Sequence, residues 1–598
     1  MRVADYVFSC LSELTTVKNC FFLSGGGAMH LNDALGLSTF KPIPMLHEQS
    51  AVIAADSSGR YRNDLGIALV TTGPGATNAI TGIAGAWMES TPLLVISGQV
   101  SRETYMGNEP IRQLGFQEIN IVDLVKPITK YAVTVLDPKE IRYHLEMAVH
   151  LAKSGRPGPV LIDIPVDVQG ADINEKLLVG FEPEPVNEVH DLSIFDNIYD
   201  ELIKSKRPLI ILGHGIRLSK VDRNKLLDFI EKIGIPFQTT WNSMDLFPDS
   251  HPLNMGRANS YGGRASNIII QNSDFLLILG ARLGIQHIGY NFEAFARDAF
   301  KVMVDIDSGE INKRTLNIDI PIVQDLKYFI PNFINFINLK EFVFSNEKYL
   351  LWCNNIKSRF PVVDESYYED EKYVDTYVLF EHLSKYANEG DIIVPASSGT
   401  SFTAGHQVFK IKDKQRYLTW KGLAAMGYDL PAAIGASIEA DNSKIITVAG
   451  DGGFQMNIQE LSIMAGRKLP IKLFIMNNDG YLSIKATQKG YFNGNMVGSD
   501  SESGVFLPEL RRLAEAYGIK YFKLDNNSQL DNTLPIILSS NEPILCEVMV
   551  NPDKLPLPKL GSYKLKDGSM KSNPLEDLVP KIPRKELQSI MDINLLEE

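Results

Sequence analysis

Cysteine is scarce in this 598-residue sequence, and its four residues lie far apart. Cys10, Cys20, Cys353 and Cys546 form no CxxC pair, the spacing typical of redox motifs and structural zinc sites. This pattern argues against a disulfide framework and against a metal cluster. It predicts reduced thiols in the core of a cytoplasmic protein.

Long apolar runs and clusters of basic residues are also missing. The most apolar stretch, "DFLLILGARLGI" (274–285), is too short to cross a bilayer. The N-terminal "MRVADYVFSCLSELTTVKN" mixes charged residues into a helical apolar pattern, which predicts a first helix and not a signal peptide. A net charge of −13 without a basic stripe argues against a nucleic-acid partner. We therefore expect neither nucleic acid nor a membrane as a partner.

What the sequence does contain is a regular alternation of strand and helix patterns. Short β-branched runs such as "PLIILGHG", "SKIITVAGDGG" and "IKLFIMNNDG" are followed by glycine turns and helical spacing. This order predicts an α/β fold with three doubly wound parallel-sheet domains, each covered by helices on both faces.

Two stretches read as linkers between these domains. "VGFEPEPVNEVHD" (179–191) is acidic and rich in proline, and "SRFPVVDESYYEDEKY" (358–373) is charged and lacks periodicity. The segment after 552 is rich in Pro, Lys and Gly, which predicts an irregular arm or lid. The predicted units are 1–178, 192–340, 374–552 and a C-terminal tail at 553–598.

The stretch "VAGDGGFQMN" (448–457) joins a predicted strand to a predicted helix through a glycine turn. Such a turn offers free backbone N–H groups and a positive helix end, which suit an anion. The next predicted strand ends in Asn477 and Asn478, 27 residues beyond Asp451. Because neighbouring parallel strands end at one edge, the oxygens of Asp451 and Asn478 should meet there and suit Mg²⁺ on a diphosphate. The alternative is that both asparagines are ordinary turn formers.

"GDGG" followed by "NN" at this distance resembles the thiamin diphosphate and magnesium fingerprint of thiamin-dependent decarboxylases and carboligases. "PMLHEQSAVIAADSSGRY" resembles the family's catalytic-glutamate segment, and "TTGPGATNAI" resembles its glycine loop. "GFQEINIVDLVKPITKY", "SGRPGPVLIDIPVDVQ" and "LAAMGYDLPAAIGAS" are similar to acetolactate synthase of the large-subunit type. These segments extend from roughly residue 20 to residue 550.

The resemblance implies pyrimidine-binding, central and diphosphate-binding domains, in that order. It also implies an active site between the first domain of one chain and the third domain of another. The expected partners are therefore a second copy of the chain, as a homodimer or homotetramer, and a small-molecule 2-keto acid. No stretch identifies a docking surface for a regulatory small subunit.

The resemblance assigns catalytic roles to four residues. Glu48 would hydrogen-bond the aminopyrimidine ring of the cofactor, and Met426 would support its bent conformation. Phe116 and Gln117 would lie near the bound keto acid. His47, beside the glutamate, is either a polar neighbour or a structural histidine.

The resemblance also implies a wider set of cofactor contacts and three metal ligands, with Gly480 contributing its carbonyl. Ser398 to Ser401 replace the family's usual Gly-Gln-His, so only the location is carried over there. The metal ligands would be Asp451, Asn478 and Gly480. The cofactor contacts would be Glu48, Gly26, Gly73, Asn78, Gln99, Ser398, Gly399, Thr400, Ser401, Met426, Asp451, Gly452, Gly453, Asn478, Gly480 and Tyr481.

Two positions depart from the acetolactate synthase pattern. Thr487 stands nine positions beyond Asn478, where those enzymes carry a tryptophan that shapes the acceptor pocket. In the central domain, "GARLGIQHIGYN" keeps Arg282 but lacks the rest of the family's FAD-binding stretch. FAD and an empty central domain therefore both remain open.

The leading hypothesis is a thiamin diphosphate- and magnesium-dependent carboligase that decarboxylates pyruvate or a similar 2-keto acid. Because Thr487 is smaller and more polar than tryptophan, one alternative is acetyl transfer to a nucleotide-linked keto sugar in branched-sugar biosynthesis. A second alternative is a simple 2-keto acid decarboxylase. A non-catalytic paralogue is disfavoured, because Glu48, Met426, Asp451 and Asn478 are all present.

Overall fold

A computed structural model of the chain describes residues 1–107, 109–184, 193–565 and 567–596. It contains three parallel sheets in sequence order, each with helices on both sides. The predicted fold class is therefore confirmed. The predicted linker at 179–191 lies partly outside the described residues, because the description stops at 184 and resumes at 193.

The first domain is built on a six-stranded sheet in the order β2-β1-β3-β4-β6-β5. Its strands are β1 (Asn19–Phe22), β2 (Lys41–Pro44), β3 (Gly66–Val70), β4 (Leu93–Gln99), β5 (Tyr131–Thr134) and β6 (Pro159–Pro165). Its helices are α1 (Val3–Leu14), α2 (Met29–Leu37), α3 (Glu48–Arg62), α4 (Pro74–Asn78), α5 (Ile80–Glu89), α6 (Ile121–Val125), α7 (Ile141–Lys153) and α8 (Val166–Gly170).

The central domain has a five-stranded sheet in the order β11-β10-β9-β7-β8. Its strands are β7 (Pro208–Leu212), β8 (Phe237–Thr239), β9 (Phe275–Leu279), β10 (Phe300–Asp305) and β11 (Ile320–Val323). Its helices are α9 (Ile194–Leu202), α10 (Gly215–Leu218), α11 (Arg223–Ile233), α12 (Arg264–Gln271), α13 (Ile285–Ile288), α14 (Ser308–Ile311), α15 (Leu326–Leu339) and α16 (Glu347–Arg359).

The third domain repeats the six-stranded design in the order β13-β12-β14-β15-β17-β16. Its strands are β12 (Ile392–Pro395), β13 (Arg416–Tyr417), β14 (Ile445–Gly450), β15 (Ile471–Asn477), β16 (Lys520–Leu524) and β17 (Ile544–Met549). Its helices are α17 (Thr376–Tyr386), α18 (Gly399–Val408), α19 (Asp429–Glu439), α20 (Asp451–Phe454), α21 (Leu461–Gly466), α22 (Leu482–Tyr491), α23 (Leu510–Tyr517) and α24 (Leu530–Ser539).

The described part of the tail, 553–565 and 567–596, packs onto the central domain. It contains two short antiparallel pairs and a final helix, and Leu575, Leu587 and Ile590 are buried in the same apolar cluster as central-domain residues. Helix α16, beyond the predicted boundary at 340, contributes to that cluster through Cys353. The domain boundaries themselves stay predictions. The elements of the tail are β18 (Lys559–Leu560), β19 (Ser562–Lys564), β20 (Met570–Ser572), β21 (Leu578–Val579) and α25 (Arg584–Ile590).

Two further predictions concern the cysteines and membrane-spanning helices. All four cysteines are buried, free thiols, and burial raises the pKa of Cys10 to about 11 and that of Cys353 to about 12. Among the described residues, no helix combines the length and apolar character needed to span a membrane.

The first and third domains are joined by the packing of α3 against α19. Helix α3 is buried along nearly its whole length and ends at Asn63, which adopts a left-handed conformation with φ 58°. Helix α19, "DLPAAIGASIE", is rich in small residues, which lets the two backbones approach closely. At the closest point, a Cβ atom on Gly435 would lie 2.1 Å from the carbonyl oxygen of Ala54.

Substituting Gly435 with alanine tests this contact. The new methyl group would meet backbone atoms that cannot rotate away, so Gly435→Ala should lower the free energy of unfolding by about 1–3 kcal/mol. The measurement is the urea midpoint of the full-length chain. The control is Gly36→Ala on α2, where no atom lies within 4 Å of the added carbon. Equal midpoints for the two variants would show that the close approach contributes nothing.

Candidate active site

The carboxyl ends of three neighbouring strands, β12, β14 and β15, meet at one edge of the third sheet. Each strand runs there into a loop and then a helix. The loop after β12 leads into α18 at Gly399, the loop after β14 contains Asp451, and the loop after β15 contains Asn478. In parallel sheets, this edge is the usual place for a ligand. Asp451 and Asn478 therefore lie close together at this edge, as the sequence predicts.

Asp451 organises the turn after β15. Its Oδ2 atom accepts the backbone N–H of Asn478 at 3.0 Å and that of Gly480 at 3.1 Å. Gly480 adopts a φ of 109°, a conformation that glycine enters at low cost. Burial raises the pKa of Asp451 to about 6, and the N–H bonds from Gly480, Gly452 and Asn478 offset part of that rise.

Three oxygen-bearing groups converge at this point. One terminal atom of the Asn478 side-chain amide lies 3.1 Å from Oδ1 of Asp451 and 2.8 Å from the carbonyl oxygen of Gly480. With nitrogen in that place, the amide donates to both oxygens. With oxygen in that place, three oxygens face one another, which requires a cation between them. One carboxylate, one amide and one carbonyl form a hard-oxygen set that suits Mg²⁺ with water and phosphate as its remaining ligands.

The magnesium site predicted here contains a single carboxylate. Within the described part of the chain, no group of three or more His, Cys, Asp and Glu side chains is placed to hold a metal. A bound diphosphate would therefore have to supply much of the negative charge around the ion.

The remaining residues predicted at this edge line the turn. Gly452 packs under Tyr481, because a Cβ there would lie 2.6 Å from the Tyr481 ring. Gly453 faces Met426, whose side chain is 41% exposed and available to a ligand. At the start of α18, Ser398 is the N-cap, Gly399 has φ 73°, Thr400 is buried, and Ser401 donates to the Val448 carbonyl at 2.6 Å.

Glu48 begins α3 and is buried, with 7% of its surface exposed. Its Oε2 atom accepts a hydrogen bond from the Asn78 amide at 3.0 Å. Its Oε1 atom faces the glycine loop, 3.4 Å from where a Cβ on Gly75 would lie. The second oxygen therefore remains available to a ligand. His47 caps the helix, because its Nδ1 accepts the Gln49 N–H at 3.1 Å.

Hydrogen bonds link α3, the helix that carries Glu48, to the third domain of the same chain. The Ser50 hydroxyl donates to the side-chain oxygen of Asn457 at 3.0 Å, and Asn457 donates to the Gly427 carbonyl at 2.7 Å. Gly427 follows Met426, so the structure brings the predicted glutamate and methionine segments together. The prediction that the site is shared between two chains stays a prediction.

Other predicted residues are less directly available to a ligand. The side chain of Gln99 is fully engaged: it accepts from Thr72 at 2.8 Å and donates to Asp163 and to the Ile119 carbonyl, each at 3.0 Å. It therefore ties loops of the first domain together. Gly73, with φ 58°, packs against the Gln117 backbone, and Gln117 itself has φ 64°. Phe116 is 86% exposed, and Gly26 is exposed at the start of a short 3-10 helix, Gly26–Ala28.

Glu460 is a neighbour of the site that the motifs did not indicate. It is fully buried, and its carboxylate accepts the Leu46 N–H at 3.1 Å, two residues before Glu48. Burial raises its pKa to about 7, partly offset by hydrogen bonds from Ser50 and from the Leu46 backbone. Only the packing of two domains reveals this contact, since the partners are 414 residues apart.

The central domain offers polar atoms at its strand ends. Trp241 Nε1 and both ring nitrogens of His287 are buried and have no hydrogen-bond partner among the described residues. The same holds for Nε2 of His406, which belongs to α18 of the third domain and stacks on the Trp241 ring. Such orphaned atoms fit a ligand with hydrogen-bonding edges. Arg282, which the resemblance linked to FAD, pairs with Glu310 at 3.3 Å, and its link to FAD stays a prediction.

Comparison with known proteins places this geometry in a family. Three family models match in order: thiamine pyrophosphate enzyme N-terminal TPP binding domain at 1–124, central domain at 195–333, and C-terminal TPP binding domain at 397–548. The chain belongs to the thiamine pyrophosphate enzymes. It is 33% identical to the acetolactate synthase large subunit of Lactococcus lactis subsp. lactis (strain IL1403), over 93% of this chain and 94% of that protein.

Two further relatives point the same way. This thiamine pyrophosphate enzyme is 32% identical to a probable acetolactate synthase large subunit of Methanocaldococcus jannaschii, with 93% of each chain covered. It is 31% identical to the acetolactate synthase large subunit of Cyanidium caldarium, over 89% of this chain and 91% of that one. The predicted acetolactate synthase type and thiamin diphosphate dependence are thus confirmed. The keto-sugar and simple decarboxylase alternatives are not favoured.

The oxygen cluster predicts a specific effect of removing one charge. Asp451→Asn should weaken Mg²⁺-dependent binding of thiamin diphosphate by more than about tenfold, because the carboxylate is the only charged group of the set. Titration of the full-length chain with cofactor, at fixed Mg²⁺, measures this. The matched control is Asp479→Asn, an exposed neighbour whose side chain bonds Ser501. An unchanged affinity in Asp451→Asn would exclude it as a ligand.

Glu460 predicts a pH-dependent stability. Its folded pKa of about 7 lies above its ordinary value of 4.5, so the folded chain binds the extra proton between these limits. The protonated Glu460 side chain therefore contributes fully to the free energy of unfolding below about pH 4.5, and this contribution is lost as the pH rises to about 7. Relative to Glu460→Gln, which stays neutral, the wild type should lose stability across this window in denaturation midpoints. Glu389→Gln, at an exposed position, serves as the control, and parallel profiles for Glu460→Gln and wild type would contradict the assignment.

Proposed function

We propose that this chain is a Mg²⁺-dependent carboligase that decarboxylates pyruvate or a close 2-keto acid and transfers the two-carbon unit to an acceptor. The observation that carries the proposal is the convergence of Asp451, Asn478 and Gly480 at the ligand-binding edge of the third sheet. It lies on the same domain that packs against the helix of the buried Glu48. The names of the relatives support pyruvate chemistry.

Bound thiamin diphosphate supplies the carbon nucleophile that adds to the keto carbon and allows CO₂ to leave. In this proposal Asp451, Asn478 and the Gly480 carbonyl would hold Mg²⁺, and the backbone N–H groups at the start of α18 would bind the diphosphate. The metal and the helix end would together offset the charge of the diphosphate.

Glu48 has the central chemical role. Asn78 holds one carboxyl oxygen at 3.0 Å, so the other is directed at the ligand. A carboxyl group in this buried place can keep a hydrogen-bonded proton at the ring nitrogen of the cofactor and make its amino group a better base. The exposed face of Met426, beside Gly453, would support the bent cofactor, and Phe116 and Gln117 would border the keto acid.

The partner and second cofactor belong to the same proposal. Phe116 at 86% and Phe506 at 87% exposure leave large aromatic surface uncovered on the single chain, which supports a homodimer or a homotetramer. The orphaned atoms of Trp241 and His287 support FAD as a structural ligand of the central domain. A cytoplasmic location is proposed from the composition and the reduced, buried thiols.

The direct test is incubation of the purified chain with pyruvate, thiamin diphosphate and Mg²⁺, with and without FAD, and product identification by mass spectrometry. Acetolactate and CO₂ are expected. A parallel reaction containing a nucleotide-linked keto sugar tests the alternative acceptor that Thr487, exposed on α22, had suggested. Free aldehyde as the main product, or product formed only with the sugar, would overturn the proposal.

Glu48→Gln tests the assigned chemistry. It should keep cofactor affinity but lower turnover by about 100-fold, because the amide cannot exchange a proton with the ring nitrogen. Glu103→Gln, an exposed residue of the same domain, is the matched control and should turn over normally. Full activity in Glu48→Gln would remove Glu48 from the mechanism.

A further inference from the structure

A cleft of about 380 Å³ opens between the first and central domains, at the C-terminal end of α3. Because α3 has 15 residues, this end lies about 20 Å from Glu48 at the other end of the helix. The cleft is therefore separate from the candidate active site. Its lining comprises Arg62, Asn63, Asp64, Ile216, Arg217, Lys220, Val221, Arg223 and Leu246.

The cleft is strongly basic in a chain that is acidic overall. Four of its lining residues are Lys or Arg and one is acidic, whereas the whole chain has a net charge of −13. The one acidic residue, Asp64, is already paired with Lys153 at 2.8 Å. Among the cations, Arg62 pairs with Glu439 at 3.2 Å and Arg217 with Asp245 at 2.9 Å.

The other two cationic groups of the cleft, Lys220 and Arg223, have no anion within hydrogen-bond distance among the described residues. Within the described ranges, Nζ of Lys220 makes neither a hydrogen bond nor an ion pair. Lys220 lies in the turn between α10 and α11, with φ 57°. Arg223 approaches Asp413 only to 3.6 Å, which is beyond hydrogen-bond distance. Both groups are free to contact a bound anion.

Buried charged residues lie beneath the cleft. Asp245, 3% exposed, is shared by Arg217 and Arg416, each at 2.9 Å. Arg60 is buried nearby and donates to the Thr419 carbonyl, and Nε of Arg217 is buried without a partner among the described residues. Asp56 and Glu89 also attract the Arg60 guanidinium, so these buried charges are balanced, and the unmatched positive charge lies at the cleft surface.

We propose that this cleft binds a small organic anion that carries a phosphate or diphosphate group. Lys220, Arg223 and Arg217 would contact the phosphate oxygens, since cationic donors form strong charge-assisted bonds with phosphate. The apolar residues Ile216, Val221 and Leu246 line the remainder of the cleft and suit an organic part. A volume of about 380 Å³ exceeds the needs of a lone phosphate and falls in the usual range for small-molecule sites.

Calorimetric titration of the full-length chain, freed of Mg²⁺ with EDTA, tests this inference. The probes are inorganic pyrophosphate, ADP and adenosine. We expect saturable binding of ADP and of pyrophosphate that weakens with rising salt, and none of adenosine. If ADP binds more tightly than pyrophosphate, its adenosine part contacts the apolar side of the cleft. If the two affinities are equal, the cleft recognises the phosphate groups alone.

Charge-reversal variants locate the binding. Lys220→Glu and Arg223→Glu should each weaken ADP binding by about tenfold or more. Lys225→Glu, an exposed residue of α11 outside the cleft, is the matched control and should bind as the wild type does. Asp451→Asn should bind ADP as the wild type does. A failure of ADP binding at the cleft can then be distinguished from a failure of the proposed carboligase activity. Absence of saturable binding, equal binding of adenosine, or undiminished binding in both cleft variants would overturn the proposal.

Discussion

The parallel pairing of β14 with β15 is the constraint on which the candidate site depends. Gly450 lies opposite Met476 in this register, so the residues that follow each strand, Asp451 and Asn478, emerge side by side. Two N–H bonds to the Asp451 carboxylate then fix the loop after β15 and turn the Gly480 carbonyl towards the Asn478 amide. The metal site proposed here would depend on backbone geometry, with only one charged ligand. The start of α18 lies at the same edge, so the proposed cation and the helix end would face one ligand.

The second constraint is the close packing of α3 on α19. It places a carboxyl group of the first domain against the cofactor edge of the third, through Ser50, Asn457 and Glu460. Because α3 also reaches the basic cleft at its far end, one buried helix connects the two sites.

Much of the fold and part of the site could be predicted from sequence, for physical reasons. Strand and helix periods are local, so the three parallel sheets were readable, and the strand-end rule brought Asp451 and Asn478 together. Contacts between domains leave no local pattern. Glu460 and Asn457 were missed for that reason, and so was the basic cleft, whose residues come from three separate segments. The contact of Gln99 with the cofactor stays a prediction, and in the structure its amide is engaged by Thr72, Asp163 and Ile119. The tail was read as an arm from its Pro, Lys and Gly content, although its few apolar residues suffice to anchor it to the central domain.

The most direct test of the central claim is a crystal structure of the chain grown with thiamin diphosphate and Mn²⁺, whose anomalous signal identifies the metal. The account predicts one peak bridging the diphosphate to a carboxylate oxygen of Asp451, the amide oxygen of Asn478 and the carbonyl of Gly480, at about 2.0–2.2 Å from each. A metal bound elsewhere, or an Asn478 amide nitrogen still directed at Asp451 with the cofactor in place, would contradict it.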